Sequence, residues 1–280
     1  MEFATPPEIC SAIKERIDKR IFGYTKVFDT EYYTAFANWC RKYYDWGFPK
    51  EELAFSTGII PALYELAEEL IAKDEKMLIV TPAYGFFQHT AEYNQIELVC
   101  SELKSDHGYF TIDFEDFEKQ CKDPRTKMFI LCSPHNPTGR VFTEEELCKM
   151  TQICLENNVW IASDEIHCDI VYSGHHHIPT ASLSEEVAMH TISFVSPSKT
   201  FNLPGFRTAV MISANPWMKN QAHEILVGNK ATGENIFGTV AFCTAYEECD
   251  YYADQMREYM EGNRRLAYNY ISENLPGMKM

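Results

Sequence analysis

The 280-residue chain is 45% hydrophobic, 14% aromatic and 24% charged. That ordinary globular balance excludes a disordered chain, a collagen-like repeat and a low-complexity tract. Its 25 lysines and arginines face 41 aspartates and glutamates, a net charge of −16, which argues against a nucleic-acid partner or an anionic membrane surface. The length suits one large domain or two small ones, with ample room for a core. No stretch approaches the roughly 18 apolar residues of a membrane span. The opening MEFATPPEICSAIKERIDKR has no apolar h-region and no small-residue cleavage site, so a cytoplasmic protein without a secretory signal is expected. Ten cysteines are scattered with no CxxC pair, which favours neither a zinc site nor a disulfide framework. Those in apolar runs, such as Cys132 in MFILC and Cys100 in IELVC, read as small reduced core residues.

In chain order, the aromatic stretch Phe28–Tyr44 has the apolar spacing of a helix that packs in a core or dimer interface rather than lining a pocket. The small-residue turn Ser56-Thr57-Gly58-Ile59-Ile60-Pro61 opens a helix over Pro61–Lys73, whose Leu63, Leu66, Ala67, Leu70 and Ile71 share one face. Strands are predicted at Met77–Thr81, Ile96–Cys100, Met128–Cys132, Val159–Ser163, Thr191–Val195 and Thr208–Ile212. Most are apolar throughout, as in a parallel sheet covered on both faces. A helix over Thr143–Asn157 begins with a capping box, Thr143 with Glu146. Residues 239–275 read as helical, with Arg257, Arg264 and Arg265 on a solvated face. His175-His176-His177 reads as a solvated loop, since three consecutive histidines cannot all face one ion. Strands alternating with helices predict an α/β fold with ligands at the carboxyl ends of the strands.

The special-geometry residues fall after those strands. Ser133-Pro134-His135-Asn136-Pro137-Thr138-Gly139 is a rigid turn that aims Asn136, or else a plain loop. Asp164-Glu165-Ile166-His167 offers two acids, suited to a metal site, a helix cap or a cofactor contact. Ser196-Pro197-Ser198-Lys199-Thr200-Phe201 sets a lysine between hydroxyls and an apolar turn, with Arg207 eight residues on. A lysine in an apolar pocket beside other cations can serve as an amine nucleophile. The turn at Gly58 can present free N–H groups and a helix dipole to an anion. A nucleophilic lysine, a carboxylate, an amide and anion ligands together meet the needs of pyridoxal phosphate.

At this point the sequence resembles a fold-type I, aspartate-aminotransferase-like (class I/II) pyridoxal-phosphate enzyme. Nearest in appearance is the bacterial cystathionine β-lyase / cysteine-S-conjugate β-lyase branch. The resemblance runs along nearly the whole chain, through MEFATPPE, IFGYTK, FSTGII, VTPAYGFF, SPHNPTGRVFTEEEL, SDEIHCDIVY and SPSKTFNLPGFRTAV. It implies a large domain with a mostly parallel seven-stranded sheet between helices. It implies that Lys199 carries the cofactor, Asp164 keeps the pyridine nitrogen protonated and Asn136 bonds the ring hydroxyl. His167 lies where many relatives have a tyrosine near that hydroxyl, and Tyr84 matches the ring-stacking aromatic. Gly58 and Ile59 would offer N–H groups to the phosphate, Ser196 a hydroxyl, and Arg207 its guanidinium. The β-lyase branch often lacks an arginine at that place, which pulls toward the aminotransferases. Tyr24 matches a tyrosine that reaches the neighbouring subunit's phosphate, implying a homodimer with shared sites.

The activity so implied is C–S β-elimination from an amino-acid thioether to a thiol, pyruvate and ammonia. The alternatives are an aminotransferase using the same residues and a regulatory protein that keeps the cofactor but acts through a partner. The resemblance also divides the chain into an N-terminal segment (1–22), the cofactor-binding large domain (23–255) and the start of a small domain (256–280). Such relatives carry a stretch ahead of MEFATPPE that helps close the site. They continue after the last helices into a small domain that supplies the substrate-carboxylate arginine. The chain is therefore expected to be truncated at both ends, and Arg257, Arg264 and Arg265 lie too early to match that arginine.

Overall fold

The computed structural model describes residues 3–25, 30–228 and 235–278; Phe28 of the aromatic stretch lies outside them. The strands are β1 (Leu53–Ser56), β2 (Lys76–Thr81), β3 (Glu97–Glu102), β4 (Lys104–Asp106), β5 (Tyr109–Thr111), β6 (Thr126–Cys132), β7 (Trp160–Asp164), β8 (Thr191–Val195) and β9 (Ala209–Ile212). The helices are α1 (Pro7–Asp18), α2 (Thr30–Tyr44), α3 (Ile59–Leu70), α4 (Gly85–Asn94), α5 (Phe114–Cys121), α6 (Glu144–Glu156), α7 (Glu185–Met189), α8 (Pro216–Gly228), α9 (Ile236–Glu248) and α10 (Asp250–Asn274). Seven strands form one sheet in the order β1-β9-β8-β7-β6-β2-β3, and β4 pairs with β5 as a separate hairpin. Within the large sheet β9 is antiparallel to both neighbours, and every other pairing is parallel. Six strands therefore point one way and β9 alone runs against them. The mostly parallel seven-stranded α/β sheet is as expected. The Thr208–Ile212 strand departs from the parallel set, because a short return through Pro204–Phe206 leaves no room for a crossover.

The continuous apolar runs follow from cover on both faces. In β6, Met128, Ile130 and Cys132 join the core beneath α3, α4 and α8, while Phe129 and Leu131 join the one beneath α5 and α6. Successive side chains of a strand point to opposite faces, so both sets must be apolar. At the β1–β9–β8 end a third cluster unites Val195, Val210 and Ile212 with α1, α2 and α9. Here the aromatic stretch packs as core: Tyr32 stacks on Phe242 with ring centroids 3.8 Å apart, and Phe36, Trp39 and Tyr246 surround the pair. The Tyr32 hydroxyl reaches Thr208 Oγ1 at 2.8 Å. That contact ties α2 to the start of β9.

Helix starts follow their caps. The Thr143 hydroxyl accepts from the Glu146 N–H at 3.2 Å, and the Glu146 carboxylate accepts from the Thr143 N–H at 2.9 Å. The helix placed at Pro61–Lys73 begins two residues earlier, with Pro61 still in its first turn, and ends at Leu70. Residues 239–275 form two helices, broken at Cys249. Two expectations need correction. Cys100 is exposed, as are Cys10 and Cys148, because β3 is the sheet's edge strand and only one of its faces is well covered. His177 is buried rather than solvated, its Nε2 2.9 Å from the Glu165 carboxylate, while His175 and His176 remain exposed. Among the described residues no helix is long and apolar enough to cross a membrane.

The aromatic cluster yields a stability prediction. Phe242 is fully buried, so Phe242→Ala should lower the unfolding free energy by about 3–5 kcal/mol in a denaturant titration. Leu266→Ala, at a side chain 71% exposed, should stay within about 0.5 kcal/mol.

Candidate active site

One cavity of about 360 Å³ opens where the carboxyl ends of the parallel strands meet. β1 delivers Thr57 and Gly58, β2 leads to Tyr84, β6 ends at Cys132 and leads to Asn136, β7 ends at Asp164, and β8 leads to Ser196 and Lys199. Because β9 alone runs the other way, its amino end also lies at this edge and brings Arg207 and Thr208. The cavity thus gathers Gly58, Ile59, Tyr84, Asn136, Asp164, His167, Ser196, Lys199 and Arg207. Tyr24 is the one proposed site residue outside it, and its side chain is fully solvent-exposed. Thr57, Ser198 and Thr208 also line the cavity but were not foreseen; the hydroxyls flanking Lys199 were the available signal for Ser198. Among the described residues no group of His, Cys, Asp or Glu forms a metal site.

Each side chain is held by its own local structure. The Asn136 turn is closed by the Gly139 N–H donating to His135 O (2.8 Å) and the His135 N–H donating to Arg140 O (2.7 Å). Arg140 is pinned in turn by two bonds to Glu146, at 2.8 and 2.9 Å, so the capping acid of α6 also anchors this turn. Burial, with Arg140 nearby, pulls the His135 imidazole down to about 4, so it is neutral. The Lys199 loop is a tight turn in which the Phe201 N–H donates to Pro197 O at 2.9 Å and the Leu203 N–H to Ser198 O at 3.0 Å. Phe201 seals it from below, fully buried among Trp39 and Tyr246.

The anion end is built from backbone. Gly58 precedes α3 at φ +143°, where a Cβ would be strained. No side chain caps α3, so its first-turn N–H groups are not taken by a cap. Two expected donors are already engaged. The Gly58 N–H donates to Ser56 Oγ at 3.1 Å, and the Ser196 hydroxyl donates to Thr208 O at 2.7 Å. The Ile59 N–H and the side chains of Thr57, Ser198 and Arg207 remain along that wall.

Asp164 governs the electrostatics. It is 5% exposed, and burial raises its carboxyl from 3.8 to about 7, against the Ile166 N–H bond at 3.1 Å and the Lys199 charge acting through space. Its charge helps to raise the Tyr84 phenol, after burial. Burial, and then the Lys199 charge, pull His167 down to about 4, so His167 is neutral at physiological pH. A buried acid whose carboxyl is raised by desolvation suits a cationic ring nitrogen, which would favour its charged form. Pyridoxal phosphate fits the donor set: a lysine, an acid, an amide, an aromatic and an uncapped helix start.

The raised Asp164 carboxyl makes stability depend on pH. Unfolded Asp164 ionises near 3.8 and folded Asp164 near 7. Between those values the folded state holds a proton that the unfolded state lacks, so stability falls as pH rises through the window. In cofactor-free protein this contribution should lose about 2–3 kcal/mol between pH 5 and 8. Asp164→Asn cannot ionise, so denaturant titrations should show wild type losing ground to it by that amount.

Comparison with known proteins agrees with this geometry. The sequence model of aminotransferase class I and II matches residues 1–278. The chain is 35% identical to cystathionine beta-lyase PatB of Bacillus subtilis (strain 168), over all of this chain and 72% of that protein. It superposes on the PLP-bound C-S lyase of Staphylococcus hominis with a TM-score of 0.94 at 41% identity, covering 99% of this chain and 70% of that one. Cystalysin of Treponema denticola, with its pyridoxal 5'-phosphate cofactor, superposes with a TM-score of 0.97 at 31% identity, covering 100% of this chain and 71% of that one. This chain belongs to the class I and II aminotransferase family of pyridoxal-phosphate enzymes.

Proposed function

We propose that the protein is a pyridoxal-phosphate-dependent C–S β-lyase that cleaves cystathionine or cysteine S-conjugates to a thiol, pyruvate and ammonia. The observation that carries the reading is the convergence of Lys199, Asp164, Asn136, Tyr84 and the start of α3 on one cavity. The likeness to PatB and to the C-S lyase of Staphylococcus hominis supports the lyase assignment. Bound pyridoxal phosphate supplies an electrophilic carbon for amines and a ring that accepts the electron pair left at Cα.

The residues divide that work. Lys199 would hold the cofactor through Nζ, and its free amine would take the substrate Cα proton as general base. Asp164 holds a proton on the ring nitrogen, which makes the ring a better electron acceptor. Asn136 and neutral His167 would orient the ring hydroxyl, and Tyr84 would pack against the ring. The Ile59 N–H, Ser198 and Arg207 take the phosphate, aided by the dipole of α3. Overall the Cα–H and Cβ–S bonds break, the sulfur leaves as the thiol, and one water is taken up in giving pyruvate and ammonia. Tyr24, exposed beside Ile21 and Phe22, reaches the phosphate of a second copy in a homodimer with shared sites.

Assays on cystathionine without added 2-oxo acid are expected to yield pyruvate and free thiol. A requirement for a 2-oxo acid would instead mark an aminotransferase. Borohydride should fix the cofactor on the Lys199 peptide alone, and label elsewhere would refute the assignment. Asp164→Asn should still bind the cofactor but lose roughly two to three decades of turnover, the equivalent of ~3–4 kcal/mol. Near-normal turnover would remove Asp164 from the reaction.

A further inference from the structure

The Asp169 carboxylate is 3% exposed and does not line the cavity, yet it joins three elements around Lys199. Its Oδ1 accepts from Trp39 Nε1 at 2.9 Å and from the Tyr44 hydroxyl, both on α2. Its Oδ2 accepts from Thr200 Oγ1 at 2.6 Å. Its backbone oxygen accepts from Arg257 Nη1 of α10 at 3.1 Å. The carboxylate is satisfied by three uncharged donors, as a buried charge must be in the absence of an ion-pair partner. Two donors fix it to α2, and the third belongs to the residue next to Lys199.

We propose that Asp169 is a positioning residue: through Thr200 it orients the turn that carries Lys199, so that the amine faces the cofactor carbon. The inference rests on Lys199 being the cofactor lysine. The geometry favours this role over simple core filling. A short bond to a charged acceptor fixes both distance and direction, and a small misplacement of a reacting amine is costly. Thr200 is buried inside the turn closed by the Phe201 and Leu203 N–H groups, so its hydroxyl is the contact through which that turn meets Asp169.

The test compares Thr200→Val, Thr200→Ser and Phe117→Ala with wild type. Cofactor-free protein is mixed with pyridoxal phosphate, quenched with borohydride at intervals, and the label at Lys199 is followed by peptide mass analysis. Total cofactor binding and thermal midpoint are measured alongside. Thr200→Val keeps the branched shape but loses the hydroxyl; its labelling rate should fall about tenfold, the scale of one lost bond to a charged acceptor. Thr200→Ser should restore the rate. Phe117→Ala empties a fully buried position in the core beneath α5 and α6, away from the cavity, so it should lower the thermal midpoint while labelling Lys199 at the wild-type rate. Wild-type labelling in Thr200→Val, or a loss in Phe117→Ala as large as in Thr200→Val, overturns the inference alone. No label at Lys199 in the wild type overturns both the inference and the cofactor reading on which it rests.

Discussion

A carboxylate buried at the end of a central strand is the constraint on which the rest of the site depends. Asp164 closes β7, in register with Cys132 of β6 and Phe194 of β8. Water cannot stabilise its charge there, and burial lifts its carboxyl to about 7. Such a group weakens the fold unless a cation answers it. The sheet supplies the place for one: parallel strands bring their carboxyl ends to a single edge, and β9, running the other way, adds Arg207 and Thr208 to that edge. Its cost to the cofactor-free fold and its electrostatic attraction for a cation are two readings of one desolvated charge.

The neighbouring acids make the contrast clear. Glu165 is also buried, but its carboxylate accepts from the Ser163 and Ser193 hydroxyls and the Thr180 N–H, at 2.9, 3.0 and 3.1 Å, with His177 at 2.9 Å. It is a structural clamp between β7, β8 and the loop that follows. Asp169 is filled by Trp39, Tyr44 and Thr200. Of these three acids within six residues, Asp164 alone faces the cavity, so chain position separates a cavity-facing acid from two internal braces.

The sequence made most of the fold legible, because long apolar runs and capped helices are local signals. The Thr143–Glu146 box and the six strand candidates needed only nearby residues, and motifs in order carried the cavity wall. The four residues of β1 went unseen: LAFS is too short for a periodic pattern and joins the sheet only through β9, far away in sequence. The burial of His177 was hidden for a similar reason. Histidine repeats suggest solvent, and the partner Glu165 lies twelve residues earlier. Engagement of the Gly58 N–H by Ser56 and of the Ser196 hydroxyl by Thr208 O depends on turn geometry, which residue type alone does not show. Asp169 could not be singled out at all, since its Trp39 and Thr200 partners lie 130 and 31 positions away.

The most direct test of the pairing between Asp164 and the ring is the protonation state of the ring nitrogen itself. Pyridoxal phosphate labelled with 15N at that atom can be bound to wild type and to Asp164→Asn, and its chemical shift followed by NMR from pH 6 to 9. A protonated nitrogen throughout in wild type, and an unprotonated one in Asp164→Asn, is the result expected if the buried charge of Asp164 answers a ring cation. The same shift in both proteins, or an unprotonated nitrogen in wild type, would contradict it.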